Sequence, residues 1–306
     1  MPLPTSEAYD FCSIYSQDAV GEPLHATATR ADVWLALEYT GRWGARAFAE
    51  SDLSAAVKAH LMAFQESSGN VRILFISRGG RYEPAPIHFF VAVSAAQPPR
   101  LYAFELDAYE SLLSLDLAAI ALGDGAYDSY RSSDRLFFVC SNGLRDACCA
   151  KFGLPVHAAM ADVAGDSVWQ CTHIGGHRLA PNLLFLPHAV AYGRVKPGEA
   201  ADLIERYRQN ELYLPRLRGR TVYGRPIQAA EHFLREQNGI LDVEVVQLLA
   251  FEPLDELQWR VTMEAAGTSY SVDVEARRYP ETVYKTCNSE ERAPVEHYHV
   301  LAHQAL

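Results

Sequence analysis

Apolar residues along the first part of the chain occur in short runs, divided by polar turns that contain glycine or proline. Residues 32–40, 71–77, 87–94 and 100–106 are such runs, and each predicts a β-strand. Residues 51–67, with Ser51 or Asp52 as the N-cap, and residues 108–122 have the pattern of helices. The predicted order is strand, helix, strand, strand, strand, helix.

The middle of the chain repeats this order. Residues 135–140 predict a strand, and a helix follows within 145–153, where Gly153 and Pro155 are expected to stop it. A short strand over 167–171, a hairpin over 182–187 and 189–195, and a helix over 198–209 come next. This is the element order of a thioredoxin-like unit, found twice, so the predicted fold class is α/β with two thioredoxin-like units side by side.

The last third predicts a helix over 228–237 and strands over 258–265 and 269–276, which indicates a small α+β C-terminal appendage. A segment rich in Gly and Asp over 123–134 marks the boundary between the first and the second unit. The predicted domains are therefore an N-terminal unit without metal over 1–130, a second unit over 131–213, and the appendage over 214–306.

Composition excludes several classes of partner. The chain has 306 residues, 49% of them hydrophobic, and a formal charge of −11, which argues against nucleic acid or an anionic membrane as the main partner. Its N-terminus lacks a basic segment followed by an apolar core, and no apolar run is long enough to span a bilayer. The expected location is the cytoplasm.

The sharpest chemistry lies in the second unit. Cys140 and Cys149 form a C-x8-C pair, at a strand end and in the first turn of the next helix, and His173 and His177 form an H-x3-H pair. Gly175 and Gly176 separate the histidines, so a loop is expected there rather than a helix face. Thiolates and neutral imidazoles are the usual ligands of zinc and of iron–sulfur clusters. The spacing therefore predicts a four-coordinate metal or cluster site.

The residues alone leave alternatives open. Cys148 could replace Cys149 as the second thiolate, and either could serve as the nucleophile of a thiol-based redox enzyme, although the chain has no C-x-x-C. The four ligands could also hold a structural zinc. Cys12, Cys171 and Cys287 are equally well interpreted as small buried hydrophobes. Asp146 is expected to be a helix cap in a surface ion pair.

Several segments resemble the sucrase/ferredoxin-like family. These are CSIYS, GEPLHATA, VCSNGLRDACCAKFGLPV, HIGGHRLAPNLLFLPHAVAYGRV and RGRTVYGRPIQAAEHFLRE, which together extend to about residue 235. The resemblance implies a thioredoxin-like [2Fe-2S] ferredoxin domain with Cys140 and Cys149 on one iron, His173 and His177 on the other, and Cys148 as a neighbour. Sucrase activity is not inferred from this resemblance, because no pair of carboxylates has the spacing and sequence context expected for glycoside hydrolysis.

The function implied is one-electron transfer between redox donor and acceptor proteins. Imidazole ligands raise the potential of such a cluster and can exchange protons, so proton-coupled redox behaviour is expected. Arg178 is expected to add a positive charge beside His177.

Overall fold

The computed structural model describes residues 11–79 and 86–306 and contains two β-sheets. The large sheet has ten strands: β1 (Val33–Glu38), β2 (Val71–Ser77), β3 (Ile87–Val93), β4 (Arg100–Leu106), β5 (Arg131–Ser132), β6 (Leu136–Cys140), β7 (Val168–Cys171), β8 (Asn182–Leu186), β9 (Val190–Gly193) and β10 (Leu217–Arg220). The smaller sheet has four: β11 (Val246–Asp255), β12 (Gln258–Ala265), β13 (Thr268–Thr286) and β14 (Ser289–Ala305).

Seven α-helices accompany the sheets in the described residues: α1 (Cys12–Ile14), α2 (Ala47–Glu50), α3 (Ala55–Ser67), α4 (Leu117–Leu122), α5 (Ala147–Ala164), α6 (Ala200–Arg208) and α7 (Arg225–Asn238). A π-helical turn, Tyr15–Val20, follows α1, and a 3-10 turn, His177–Leu179, precedes β8. No helix in the described part of the chain is long and apolar enough to cross a membrane.

The first unit is built around β1. Its neighbours are β2, which runs parallel to it, and β3, which runs antiparallel and pairs in turn with β4. The strand order is therefore β2-β1-β3-β4. On one face α3 buries Val57, Leu61 and Phe64 against the sheet, and each fully buried side chain of this size contributes about 1.5–3 kcal/mol.

The second unit repeats this topology around β6. Its order is β7-β6-β8-β9, with β7 parallel to β6 and the other pairs antiparallel. Helices α5 and α6 cover one face, where Val156 and Met160 pack in the same core cluster as Leu203 and Ile204. The predicted α/β fold with two thioredoxin-like units is confirmed by this repeat.

The two units share one sheet because β2 and β7 pair antiparallel. The pairing covers Ile76 with Cys171 and Ser77 with Gln170, at the carboxyl ends of both strands. This pairing places the carboxyl ends of β2 and β7 next to each other, near the middle of the ten-stranded sheet. The predicted domain boundaries near residues 130 and 213 stay predictions.

The C-terminal region is α+β, as predicted. Helix α7 packs on the four-stranded sheet β11-β12-β13-β14. A buried ion-pair network ties α7 to β10, since Glu231 accepts hydrogen bonds from Arg220 at 2.7 Å and from Arg235 at 2.9 Å. Beyond the edge of the sheet β13 and β14 continue as a two-stranded arm that ends at Thr286 and Ser289.

Three local predictions were wrong. Helix α3 begins at Ala55 with Ser54 as its cap, because the Ser54 hydroxyl accepts the Val57 N–H at 3.4 Å. The helix expected over 108–122 is interrupted, and Asp116 caps the shorter α4 by accepting the Ala119 N–H at 3.0 Å. In both places a side-chain cap, and not the helical periodicity, determines where the helix begins.

Helix α5 does not stop at Gly153 or Pro155 but continues to Ala164. The missing N–H of Pro155 deprives only the Lys151 carbonyl of its helical partner, and both residues are exposed to water. Gly153 has a packing role instead, because a Cβ atom there would lie 2.2 Å from the Cys140 carbonyl oxygen. Glycine thus lets α5 lie directly against the end of β6.

Candidate metal centre

Three of the four predicted ligands meet at the carboxyl ends of β6 and β7. The donor atoms of Cys140, Cys149 and His173 all lie within 4.8 Å of one another. Cys140 ends β6, Cys149 lies in the first turn of α5, and His173 follows β7 by two residues. The short turn between β6 and α5 brings the two thiols together, and the parallel pairing of β6 with β7 brings in the imidazole.

The two thiols are fully enclosed and differ in acidity. Cys140 is 1% exposed and Cys149 is 0% exposed. A hydrogen bond from Cys149 and a second from His173 lower the pKa of Cys140 well below its usual value, although burial opposes them. The hydrogen bond with Cys140 and burial raise the pKa of Cys149. Cys140 therefore loses its proton first, and a thiolate is the form that binds metal.

His173 turns its Nδ1 atom towards the thiols, 3.8 Å from the Cys149 Sγ. The two nitrogens of an imidazole lie on different sides of the ring, so Nε2 of this half-buried side chain is turned away from the Cys149 sulfur. The glycines between the histidines adopt positive φ angles, 99° at Gly175 and 75° at Gly176, which other residues rarely adopt. The predicted loop between the two histidines is present.

His177 lies beside this group without joining it. Its ring centroid is 5.3 Å from that of His173, and its Nε2 contacts the Lys285 carbonyl oxygen. A carbonyl only accepts hydrogen bonds, so Nε2 carries the proton and Nδ1 keeps a free lone pair. That Nδ1 is buried and has no hydrogen-bond partner among the described residues. Burial lowers the pKa of His177, which favours the neutral ring.

The donor set and the orphaned Nδ1 of His177 fit a metal centre with two thiolates and two neutral imidazoles. A buried nitrogen without a hydrogen-bond partner costs free energy unless something binds it. A histidine that binds a metal through one ring nitrogen is commonly oriented by a hydrogen bond from the other. In His177 the Lys285 carbonyl holds Nε2 in this way. His177 thus stands next to the three donors, with its ring centroid 5.3 Å from that of His173 and one buried nitrogen without a partner among the described residues.

A second group of sulfur atoms lies next to the first and was missed by the sequence analysis. Cys12, Cys148 and Cys287 bring their Sγ atoms within 3.1–3.5 Å of one another. Asp146 completes the group, with all four donor atoms within 4.8 Å. The three cysteines come from α1, α5 and the tip of the β13–β14 arm, so only tertiary structure joins them.

Asp146 is a helix cap, as predicted, but it is not on the surface. Its Oδ1 accepts the Cys148 N–H at 3.0 Å and its Oδ2 accepts the Cys287 N–H at 2.9 Å. The residue is 0% exposed. The expected surface ion pair is therefore wrong, and Asp146 links the start of α5 to the tip of the arm.

The arm is held over the site by aromatic and cationic side chains. Tyr284 packs edge-on against Tyr15 with a centroid distance of 4.8 Å, and Arg292 donates hydrogen bonds to both hydroxyls at 2.7 and 2.9 Å. These contacts place Lys285 against His177. The C-terminal appendage, for which the sequence gives no motif, thus completes the site.

Arg178 does not supply a free positive charge. Its guanidinium pairs with the Glu22 carboxylate, with a closest separation of 2.7 Å. Glu22 is itself buried and also accepts a hydrogen bond from Ser16 at 2.6 Å. The charge of Arg178 beside His177 is therefore partly offset by Glu22, from a distant part of the chain, although it still helps to lower the pKa of His177 after the larger effect of burial.

A cleft of 1080 Å³ opens at the junction of the two units. The first unit lines it with Glu38, Trp43 and His88, and the second with the turn that follows Cys140, including Ser141 and Leu144. Leu144 is 68% exposed. The turn therefore reaches solvent while the sulfur atoms behind it do not.

Comparison with known proteins identifies one family. The sequence model described as Sucrase/ferredoxin-like matches residues 24–219. No match was found among curated proteins. Two solved structures, cysteine-to-serine variants of the thioredoxin-like [2Fe-2S] ferredoxin from Aquifex aeolicus, are each 18% identical with a TM-score of 0.24, covering 28% of this chain and 97% of the ferredoxin chain.

Proposed function

This chain belongs to the sucrase/ferredoxin-like family, and on that premise we propose that it is a one-electron carrier with a [2Fe-2S] cluster held by Cys140, Cys149, His173 and His177. One observation carries the proposal. Three of these residues, from three separate segments, place their donor atoms within 4.8 Å of one another, and the fourth has a buried Nδ1 without a partner.

A [2Fe-2S] cluster held by two thiolates and two neutral imidazoles supplies one-electron transfer at a higher potential than an all-thiolate cluster. The residues of this chain set the conditions for it. Cys140 and Cys149 are enclosed by β6, β7 and α5, which excludes water from the sulfur atoms. His177 is held in one tautomer by the Lys285 carbonyl, so its Nδ1 is the nitrogen available for binding.

We assign the exchangeable proton to His173. Its Nδ1 faces the thiols, which leaves Nε2 to carry a proton that can be released when an electron leaves. The corresponding N–H of His177 is engaged by a backbone carbonyl and is less free to leave. Electron transfer would therefore be coupled to one proton.

The partners of this reaction are redox donor and acceptor proteins in the cytoplasm. The turn of residues 141–144 between Cys140 and α5 is the place where such a partner could approach, because it reaches both the cleft and the thiols. The acidic charge of the chain, −11, favours partners with a basic docking face.

The decisive experiment compares two adjacent cysteines. Cys148 and Cys149 are both 0% exposed, so serine at either position introduces the same polar atom into a buried place. Protein purified without oxygen should show the visible absorption of an iron–sulfur cluster and contain iron and sulfide in equal amounts. Cys149→Ser should lose this absorption, whereas Cys148→Ser should retain it.

Retention of the cluster in Cys149→Ser with its loss in Cys148→Ser would contradict the ligand assignment. A colourless native protein without iron and sulfide would contradict the function itself.

A further inference from the structure

We propose that Cys12, Cys148, Cys287 and Asp146 form a second metal site, separate from the proposed cluster, which binds one Zn²⁺ and fastens the C-terminal arm over the first site. Cys12 and Cys287 lie outside the residues matched by the family model, 24–219. Two of the four donors thus lie outside the part of the chain that the family model matches.

The geometry of the sulfur atoms carries the proposal. The Sγ separations are 3.5 Å for Cys12 and Cys148, 3.1 Å for Cys148 and Cys287, and 3.4 Å for Cys287 and Cys12. In a zinc tetrahedron with Zn–S bonds of 2.3 Å the sulfur corners lie about 3.8 Å apart. The three thiols therefore need to separate by about 0.3–0.7 Å to surround a zinc ion.

The carboxylate of Asp146 supplies the fourth donor. It is fully buried, and within residues 11–79 and 86–306 no lysine or arginine lies within ion-pair distance of it. Each oxygen accepts one backbone N–H, and the Cys12 Sγ, itself one of the proposed donors, lies 3.9 Å from Oδ1. Among the described residues the carboxylate has an ion-pair contact only with the His177 Nε2, 3.7 Å from Oδ2, and a buried carboxylate so weakly paired is costly unless a divalent ion lies beside it.

The chemistry of the donors selects the metal. Three thiolates and one carboxylate in a closed tetrahedral arrangement suit Zn²⁺, whereas Mg²⁺ and Ca²⁺ prefer sites made only of oxygen. With all four positions filled by protein, the site is structural and has no place for a substrate. It joins α1, the start of α5 and the tip of the arm.

Such a site would also hold the tip of the arm in place over His177. Cys287 lies two residues after Lys285, whose carbonyl binds the His177 ring. Fixing Cys287 to α5 through zinc therefore fixes the position of the group that orients this histidine.

The test is metal analysis of the full-length protein, produced with both zinc and iron supplied. We expect about one zinc per chain in addition to the iron of the cluster. Cys287→Ala and Cys12→Ala should each lower the retained zinc by more than about tenfold, since even the loss of an outer partner weakens metal affinity by 10–100-fold. Iron and sulfide should be retained, because the four proposed cluster ligands are unchanged, whereas the visible spectrum should shift slightly as the Lys285 carbonyl is no longer held against His177.

Two controls separate this site from the first. Asn288→Ala alters an exposed neighbour of Cys287 at the tip of the arm and should retain zinc. Cys149→Ser should lose iron and sulfide but keep zinc. Failure of the cluster assignment and failure of the zinc site therefore give different results.

Three results would overturn the proposal. One is a native protein without zinc, whether its three thiols are free or two of them have formed a disulfide. Another is zinc retained in both Cys287→Ala and Cys12→Ala. The third is loss of iron and sulfide from Cys287→Ala, which would assign these thiols to the cluster.

Discussion

The two thioredoxin-like units have the same topology but opposite chemistry at the same place. The central strand of the first, β1, ends at Glu38, whose Oε2 accepts hydrogen bonds from the His88 N–H at 3.1 Å and from Nδ1 at 2.7 Å. The central strand of the second, β6, ends at Cys140, beside a second thiol and an imidazole. One unit ends its central strand in a carboxylate–imidazole pair, and the other in a set of soft metal donors.

The difference lies in how each central strand is joined to its helix. Between β1 and α3 the chain makes a long excursion that includes α2, whereas β6 reaches α5 through the turn of residues 141–146. A short turn places the first helical residues over the strand end, and a long one does not. The repeated fold thus supplies the location, while the length of the connection decides whether side chains from strand and helix can meet there.

The largest expected effect comes from separating strand and helix in the second unit. Gly153→Ala places a Cβ atom 2.2 Å from the Cys140 carbonyl oxygen, so α5 must move away from β6. We expect the free energy of unfolding to fall by about 1–3 kcal/mol, measured by urea denaturation, together with a lower iron content.

The matched control is Gly198→Ala, where a Cβ atom meets nothing within 4 Å. This variant should unfold like the native protein. Equal stability of Gly153→Ala and native protein would show that the close approach of α5 is not required.

The second-largest effect is expected on the midpoint potential of the cluster. A redox titration compares the histidines of the two units in this respect. If His173 releases a proton on oxidation, the midpoint potential should fall by about 59 mV for each pH unit, which corresponds to about 1.4 kcal/mol. His173→Cys and His177→Cys should both lower the potential because each adds a negative thiolate, but only His173→Cys should abolish the slope.

His88→Asn, which changes the histidine of the first unit, should leave both potential and slope as they are. A native potential that does not vary with pH would contradict the assignment of the proton to His173, and a slope that survives in His173→Cys would move it elsewhere.

The smallest effect concerns the Glu38–His88 pair. Burial alone would raise the pKa of Glu38, but the side-chain and backbone hydrogen bonds from His88 lower it. A carboxyl with a lowered pKa in the folded state stabilises the fold above its unfolded pKa, and this contribution is lost as pH falls through the folded value. Because the pair is partly exposed, the effect should be below about 1 kcal/mol.

Glu38→Gln should therefore reduce stability near neutral pH slightly and make the loss of stability in acid less steep, as followed by urea denaturation at several pH values. A variant with the full acid sensitivity of the native protein would show that this pair contributes nothing to it.

Local patterns predicted much of the fold and part of the site. The strands over 71–77 and 258–265 and the hairpin of β8 and β9 follow directly from apolar runs and turns. The family resemblance is confirmed by the match over residues 24–219. Cys140 and Cys149 were found because their spacing reflects one strand, one turn and one helix, all close in sequence.

What the sequence did not predict depends on contacts between distant segments. Cys12 and Cys287 are separated by 275 residues, and no local pattern indicates that they meet. The signal available was the number of cysteines, since a C-x8-C pair accounts for two of the six. The role of Gly153 was missed because a glycine that ends a helix and one that admits a neighbouring backbone look the same in sequence.

The arm of β13 and β14 also determines where the molecule opens first. Only residues 268–275 of β13 pair with β12, so farther out the strand-to-strand ladder joins only β13 and β14 to each other. A two-stranded ribbon is barely stable in water by itself. Its outer half therefore opens locally at a lower free energy than the shared ten-stranded sheet, and its amide hydrogens exchange with solvent sooner. Whatever holds the tip of the arm sets that exchange rate, so the slowest-exchanging form is the one in which the tip is fastened.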